Sequence, residues 1–307
     1  MPPGDKGVLA AMRDLVDYGE RHPKVVWPGN SRIAVSITVH FEEGAELTPL
    51  EGDDFPEIGT NPIESRQKRR ELGLESMYEY GARRGFWRLM EIFDRAEVKV
   101  TFLCAGQALE RNRVAAREIM TKGHEVCGHG YRWIPYHGLS REEVGAHIRR
   151  AVESIRNTTG ERPLGWNSRT PSVHVRELLM EEDFLYDSDS YNDDLPYFLD
   201  VNGRKFLTIP YAMDANDEKF SPPPLVAGFS EPGNFLNALK ATFDRLYLEG
   251  LTDPKMMSVA LHLRISGRPS RASQVASFIR YAKEFPEVWF ARRIDIARWW
   301  IERYSSE

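Results

Sequence analysis

Short apolar, β-branched runs alternate with amphipathic stretches of helical spacing along almost the whole chain, and this alternation is what most constrains its fold. Ile33–His40 reads as a buried strand. Val98–Cys104, Glu125–His129, Leu164–Trp166, Phe184–Ser188, Phe206–Pro210, Met256–His262 and Val288–Phe290 read as the strands that follow. Helical stretches are expected between them, at Tyr80–Asp94, Arg111–Thr121, Ser140–Asn157, Val173–Glu182, Asn234–Leu248, Ser273–Glu284 and Ile294–Arg303. The helix at Ser140 carries its own start signal, a capping box with Ser140 as N-cap and Glu143 three residues on. A series of about seven to eight such βα units argues for a parallel sheet. No Gly-rich phosphate fingerprint follows any strand, so a closed or nearly closed barrel is expected over an open nucleotide-binding sheet. The 307 residues suit one domain of that kind.

In a barrel, chemistry gathers where strands end. The polar residues that follow strands here are Glu42, Glu43, His129, Asn167, Arg169, Asp187, Asp189 and His262. Residues 45–75 form a long irregular connection after the first strand, expected to be a lid or an oligomer contact. A net charge of −5, with no basic run longer than Lys68-Arg69-Arg70, argues against nucleic acid as a partner. No segment approaches the roughly 20 apolar residues of a membrane span, and no signal peptide is visible at Met1–Lys6. Cys104 and Cys127 sit in apolar runs and read as reduced core residues. These features lead to the expectation of a cytoplasmic protein.

Two motifs carry the chemistry. Glu42-Glu43 closes the first strand, and His129 closes a later one between Gly128 and Gly130. An acidic pair followed by His-x-x-x-His is a metal-hydrolase layout, in which a carboxylate and two imidazoles hold an ion and the other carboxylate activates water. Here Trp133 stands where the second imidazole would be, and an indole cannot ligate.

This constellation resembles the polysaccharide deacetylase superfamily, the NodB-like carbohydrate esterases. The family's aromatic-Asp-Asp-Gly motif is matched by Phe41-Glu42-Glu43-Gly44, its His motif by His129, its Arg-x-Pro by Arg169-Thr170-Pro171 and its Leu-His by Leu261-His262. The Glu-Glu pair, Trp133 and the surroundings of His129 and His262 look like the allantoinase branch, the PuuE-type enzymes that open a cyclic ureide without a bound metal. Tyr186-Asp187-Ser188-Asp189 is also similar to that branch.

The resemblance implies a single NodB-like domain over residues 1–307, a distorted (β/α) barrel of about seven strands. It also implies a hydrolase of non-peptide carbon–nitrogen bonds acting on a cyclic amide or ureide, with no metal, no cofactor and a homo-oligomeric assembly. Glu42 takes the family's base position and Glu43 its metal-carboxylate position. His129 and His262 are expected to be catalytic, with His262 donating to the leaving nitrogen and Asp187 or Asp189 keeping it protonated. Arg169 would orient Glu42 or bind a substrate carbonyl, and Trp133 would either fill the space of the missing ligand or wall a pocket for a planar ring. Arg264 and Arg268 would bind carbonyl or carboxylate, with an ordinary surface charge the other reading of Arg268. His22, His40, His124, His137, His147 and His174 read as structural or exposed. Two alternatives compete: a metal-dependent N-deacetylase of a sugar or small amide, which would want an open groove, and a non-catalytic binding protein of the same fold.

Overall fold

The first strand, β1 (Ile33–Phe41), is buried at all nine positions, as expected of a β-branched, apolar strand covered on both faces. The computed structural model describes residues 15, 16, 18, 23–57, 68–211, 213–220 and 231–305. The remaining strands are β2 (Thr101–Cys104), β3 (Glu125–Gly128), β4 (Gly165–Trp166), β5 (Tyr186–Asp187), β6 (Tyr197–Val201), β7 (Arg204–Thr208), β8 (Lys255–His262) and β9 (Val288–Phe290). The helices are α1 (Leu72–Tyr80), α2 (Phe86–Arg95), α3 (Gly106–Arg111), α4 (Arg113–Thr121), α5 (Arg141–Thr159), α6 (Val175–Glu181), α7 (Pro232–Glu249), α8 (Leu263–Ser266), α9 (Pro269–Lys283) and α10 (Arg293–Tyr304).

The strands run in the order β6-β7-β5-β4-β3-β2-β1-β8, with β9 beside the first half of β1. All pairs are parallel except the β6–β7 hairpin at one edge. The result is a single α/β domain whose mixed sheet curls into an open half-barrel flanked by helices, a distorted NodB-like (β/α) fold. Loop residues line the seam between the two edges: Ser258 Oγ donates to Pro210 O (2.9 Å) and Ala260 N to Ala215 O (2.9 Å). Buried Arg293 bridges the same seam, donating to Ser188 Oγ, Ile209 O and Ser258 Oγ.

The capping box of α5 forms as expected: Ser140 Oγ accepts from Glu143 N, and Glu143 Oε2 accepts from Ser140 N. Before α2, the turn Gly81–Gly85 is π-helical and joins α1 to α2 without a break. The irregular connection is described as far as Glu57 and again from Lys68. Residues 58–67, His22 and the proline run Pro222-Pro223-Pro224 lie outside the described residues. Among the described residues, no helix is long and apolar enough to cross a membrane.

Candidate active site

Side chains two apart on a strand share a face, so the end of β1 turns His40 and Glu42 the same way. The β1–β8 register sets His40 opposite His262, and their rings stack 4.2 Å apart at 10°. His129, just past β3, meets the His40 ring edge-on at 5.0 Å. Glu42 Oε1 lies 2.9 Å from His40 Nδ1, 3.3 Å from His129 Nε2 and 4.0 Å from His262 Nε2. Arg264 of α8 donates to Glu42 Oε2 at 2.6 Å. Each of these side chains is buried, and Glu42 has no exposed surface.

Such enclosure sets protonation. Burial works against the Glu42 charge, but Arg264 and the neighbouring imidazoles hold its pKa well below the usual carboxylate range. Burial, aided by the charge of His262, lowers His40 to about 3, so its ring is neutral at ordinary pH. Facing an ionised carboxylate, His40 Nδ1 carries the proton and donates to Glu42. Nε2 then accepts from the Tyr211 hydroxyl at 2.7 Å, and that oxygen in turn accepts from Asn216 Nδ2 at 3.3 Å. His129 Nδ1 faces the carbonyl of Asn167 at 2.7 Å and must donate to it. Among the described residues its Nε2 has no aligned hydrogen bond; it is buried and points toward Glu42 at ion-pair distance.

His262 Nδ1 lies 2.6 Å from Asp217 Oδ1, while Asp217 Oδ2 accepts from His262 N and Ser266 Oγ. Burial opposes the charge on His262, yet Asp217 and Glu42 outweigh it and raise its pKa. Glu43 turns the other way. Burial pushes it up to about 8, opposed by Arg264 and reinforced by the Glu42 charge. Its Oε2 accepts from Glu42 N, and its Oε1 is buried with no partner among the described residues.

Trp133 forms a wall with the Arg169 guanidinium 3.9 Å and that of Arg264 5.4 Å from its ring centroid. Arg169 forks onto Glu57 at 2.6 and 2.7 Å and donates to Trp133 O; the arginine on Glu42 is Arg264. Asp187 is held by Arg176 Nε (2.8 Å) and Asp189 N (3.0 Å), so the carboxylate beside His262 is neither Asp187 nor Asp189 but Asp217. Burial and the Asp187 charge raise Asp189 to about 7. Arg268 stacks on Tyr80 at 3.7 Å and donates to Arg264 O. Three residues outside the motifs therefore join the site: His40, Asp217 and Tyr211. His40 had a signal, its place two residues before Glu42 on the same strand face. Asp217 and Tyr211 come from the connection between β7 and α7 and carry none.

His40, Glu42 and His262 each offer a ligand atom within 4.8 Å of the other two. Two imidazoles and a carboxylate are a donor set of catalytic zinc, with a fourth position open. The protonation states suit it: Glu42 is ionised, and neutral His40 can carry its proton on Nε2, donating to the Tyr211 oxygen and leaving Nδ1 to the ion, while the proton on His262 would give way to a cation. The residues fit a divalent ion.

A profile of the polysaccharide deacetylase family matches residues 67–178. A Schizosaccharomyces pombe protein, provisionally named as a polysaccharide deacetylase, is 35% identical over 303 residues, 91% of this chain and 93% of that one. A Pseudomonas aeruginosa PAO1 crystal structure, also provisionally named as a polysaccharide deacetylase, shares 42% identity over 96% of this chain and 99% of that chain, with a TM-score of 0.89. The crystal structure of PuuE allantoinase shares 42% identity over 96% of this chain and 98% of that chain, with a TM-score of 0.90. These two likenesses are equal in identity, so the sequence features resembling the allantoinase do not select that branch. The expectation of metal-independent opening of a cyclic ureide is overturned by the buried His40–Glu42–His262 set. Trp133 does vacate one ligand position, but this donor set is assembled without it and without Glu43, across the β1–β8 register. By its likeness to these proteins along almost its whole length, the chain belongs to the polysaccharide deacetylase family.

Proposed function

We propose that the protein is a metal-dependent N-deacetylase, a hydrolase of a non-peptide carbon–nitrogen bond. The convergence of His40, Glu42 and His262 carries this reading. A divalent ion held by these three would polarise the scissile carbonyl and make water acidic enough to attack near neutrality. The chain's own groups do the rest. Arg264 keeps Glu42 ionised and fixes its carboxylate, and Asp217 fixes the His262 ring. His129, its Nδ1–H committed to Asn167, offers the Nε2 lone pair to take the proton of the attacking water. Glu43, pushed up to about 8, holds a proton on its carboxyl and lies on the other side of the strand end, where its Oε2 fixes Glu42 N. As the C–N bond breaks, His129 passes the proton taken from water to the leaving nitrogen, giving a carboxylic acid and an amine. Trp133, between Arg169 and Arg264, lines the space beside the acyl group. Self-association is part of the proposal and rests on Leu50 and Phe55, exposed in the segment after β1; sedimentation of the purified protein as a monomer would remove it.

The test combines metal analysis with turnover. The purified protein should carry close to one equivalent of a divalent metal, and dialysis against a chelator should abolish release of acetate from N-acetylated amines until zinc or cobalt is restored. Glu42→Gln and His40→Ala should each lose the metal. Full activity in a protein shown to be metal-free would sink the reading.

A further inference from the structure

We infer that the substrate is a small, freely diffusing N-acylated amine and not a sugar polymer, because a strap formed by residues 45–57 encloses the site. This inference rests on the N-deacetylase reading and names its substrate class. A polymer needs a groove open at both ends, so that the units flanking the scissile acetamide can pass over the catalytic groups. Here Glu42 is 0% exposed, His129 and His262 are 3% exposed, and the wall residues Arg264 and Trp133 only 8% and 9%.

The strap is fixed at successive points to three different parts of the mouth. Trp133 N donates to Ala45 O at 2.9 Å. Arg132 forks onto Asp53 at 2.9 and 2.6 Å and reaches Glu46 O at 2.9 Å. Arg111 and Gln107, both of α3, bind Glu51. Arg169, past β4, forks onto Glu57 at 2.6 and 2.7 Å. Inside the strap, Asp53 Oδ2 accepts from Thr48 N and Leu47 O from Glu57 N. Forked arginine–carboxylate pairs of this kind combine strength with defined geometry. Tyr78 of α1, itself buried, covers a further side beneath Arg264, 4.6 Å from its guanidinium. A ligand of such a site is enclosed on most of its surface, the situation of a small molecule in a pocket.

The experiment compares N-acetylethanolamine and N-acetylglucosamine with the β-1,4 tetramer of N-acetylglucosamine, on the metal-loaded native protein and on the double variant Asp53→Asn/Glu57→Gln. In the native protein, kcat/KM for the better small amide should exceed that for the tetramer by at least about tenfold. The double variant should narrow that ratio, and faster amide hydrogen exchange over 45–57 should show that the strap has loosened. A tetramer turned over as well as the small amides overturns the inference and leaves the N-deacetylase reading standing. If the native protein turns over none of the three, the N-deacetylase reading falls, and saturation-transfer NMR with the same molecules decides the size question. Binding of a small amide alone then upholds it, whereas binding of the tetramer, or of nothing, overturns it.

Discussion

At the scale of single residues, the site is a set of directed hydrogen bonds around one carboxylate. His262 is held twice by Asp217, through its ring and through its backbone N–H, and Ser266 completes the grip. A carboxylate behind a ligating imidazole orients the ring and raises its basicity, and losing one costs about 10–100-fold in metal affinity. Asp217→Asn should therefore weaken metal binding by about that factor, read by competition with a chromophoric chelator, while far-UV circular dichroism stays unchanged. An unaltered affinity would show that His262 is not a ligand. Much of this centre is legible in the sequence: Glu42, His129, His262 and Arg264 all lie at strand ends and do converge. Asp217 is not, because it reaches the site from a connection with no motif or periodicity to mark it. His40 lies between the two cases. Read alone it is a polar residue in a buried strand, and only the pairing with β8, a long-range fact, makes it the neighbour of His262.

At the scale of elements, the π-helical turn Gly81–Gly85 and the short helix α8 press backbone against backbone, and this contact places Arg264. A Cβ on Gly81 would overlap Glu43 Oε1 and come within 2.9 Å of the Arg264 backbone nitrogen. A Cβ on Gly85 would overlap Leu263 O. Overpacking of this kind costs typically about 1–3 kcal/mol, so Gly81→Ala should lower the urea midpoint by a corresponding amount. Turnover should fall further than the loss of folded protein explains, because the displaced backbone carries Arg264, which fixes Glu42. Activity falling only in step with stability would show that the turn supports the fold and not the site. Strand–helix alternation predicts the parallel sheet and the capping box of α5. It misses the antiparallel β6–β7 hairpin, although Asn202-Gly203 carries the signal: both residues have positive φ, 55° and 78°, as a tight hairpin turn demands. The open seam is less legible. What spans it is Arg293, a buried cation bonded to carbonyls and hydroxyls, and no local pattern announces such a residue.

At the scale of the molecule, stability against pH is set by opposed groups far apart in the fold. His124 accepts a hydrogen bond from Val100 N on Nδ1, so its proton sits on Nε2 among the rings of Phe102 and Phe93. Burial, with Lys99 adding to it, lowers its pKa from 6.5 to about 4. The unfolded chain therefore takes up this proton first as the pH falls. The stability tied to neutral His124 is complete above 6.5 and drains away as the pH drops toward 4, on the order of 3 kcal/mol in all. His147, also lowered to about 4, acts in the same direction. Glu43 and Asp189 act in the other. Raised to about 8 and about 7, they bind protons in the folded state first, so stability grows as the pH falls from those values to their ordinary ones, 4.5 and 3.8. Because the two sets overlap below pH 6.5, a native stability curve sums them, and neither is read from it alone. A difference between two proteins can. His124→Gln keeps a polar group near Val100 and removes the titration, so the variant should be less stable than the native protein at pH 7.5 and should close that gap as the pH approaches 4.5. Urea unfolding at a series of pH values measures it, and a gap that stays constant would mean that His124 is protonated alike in the folded and unfolded chain.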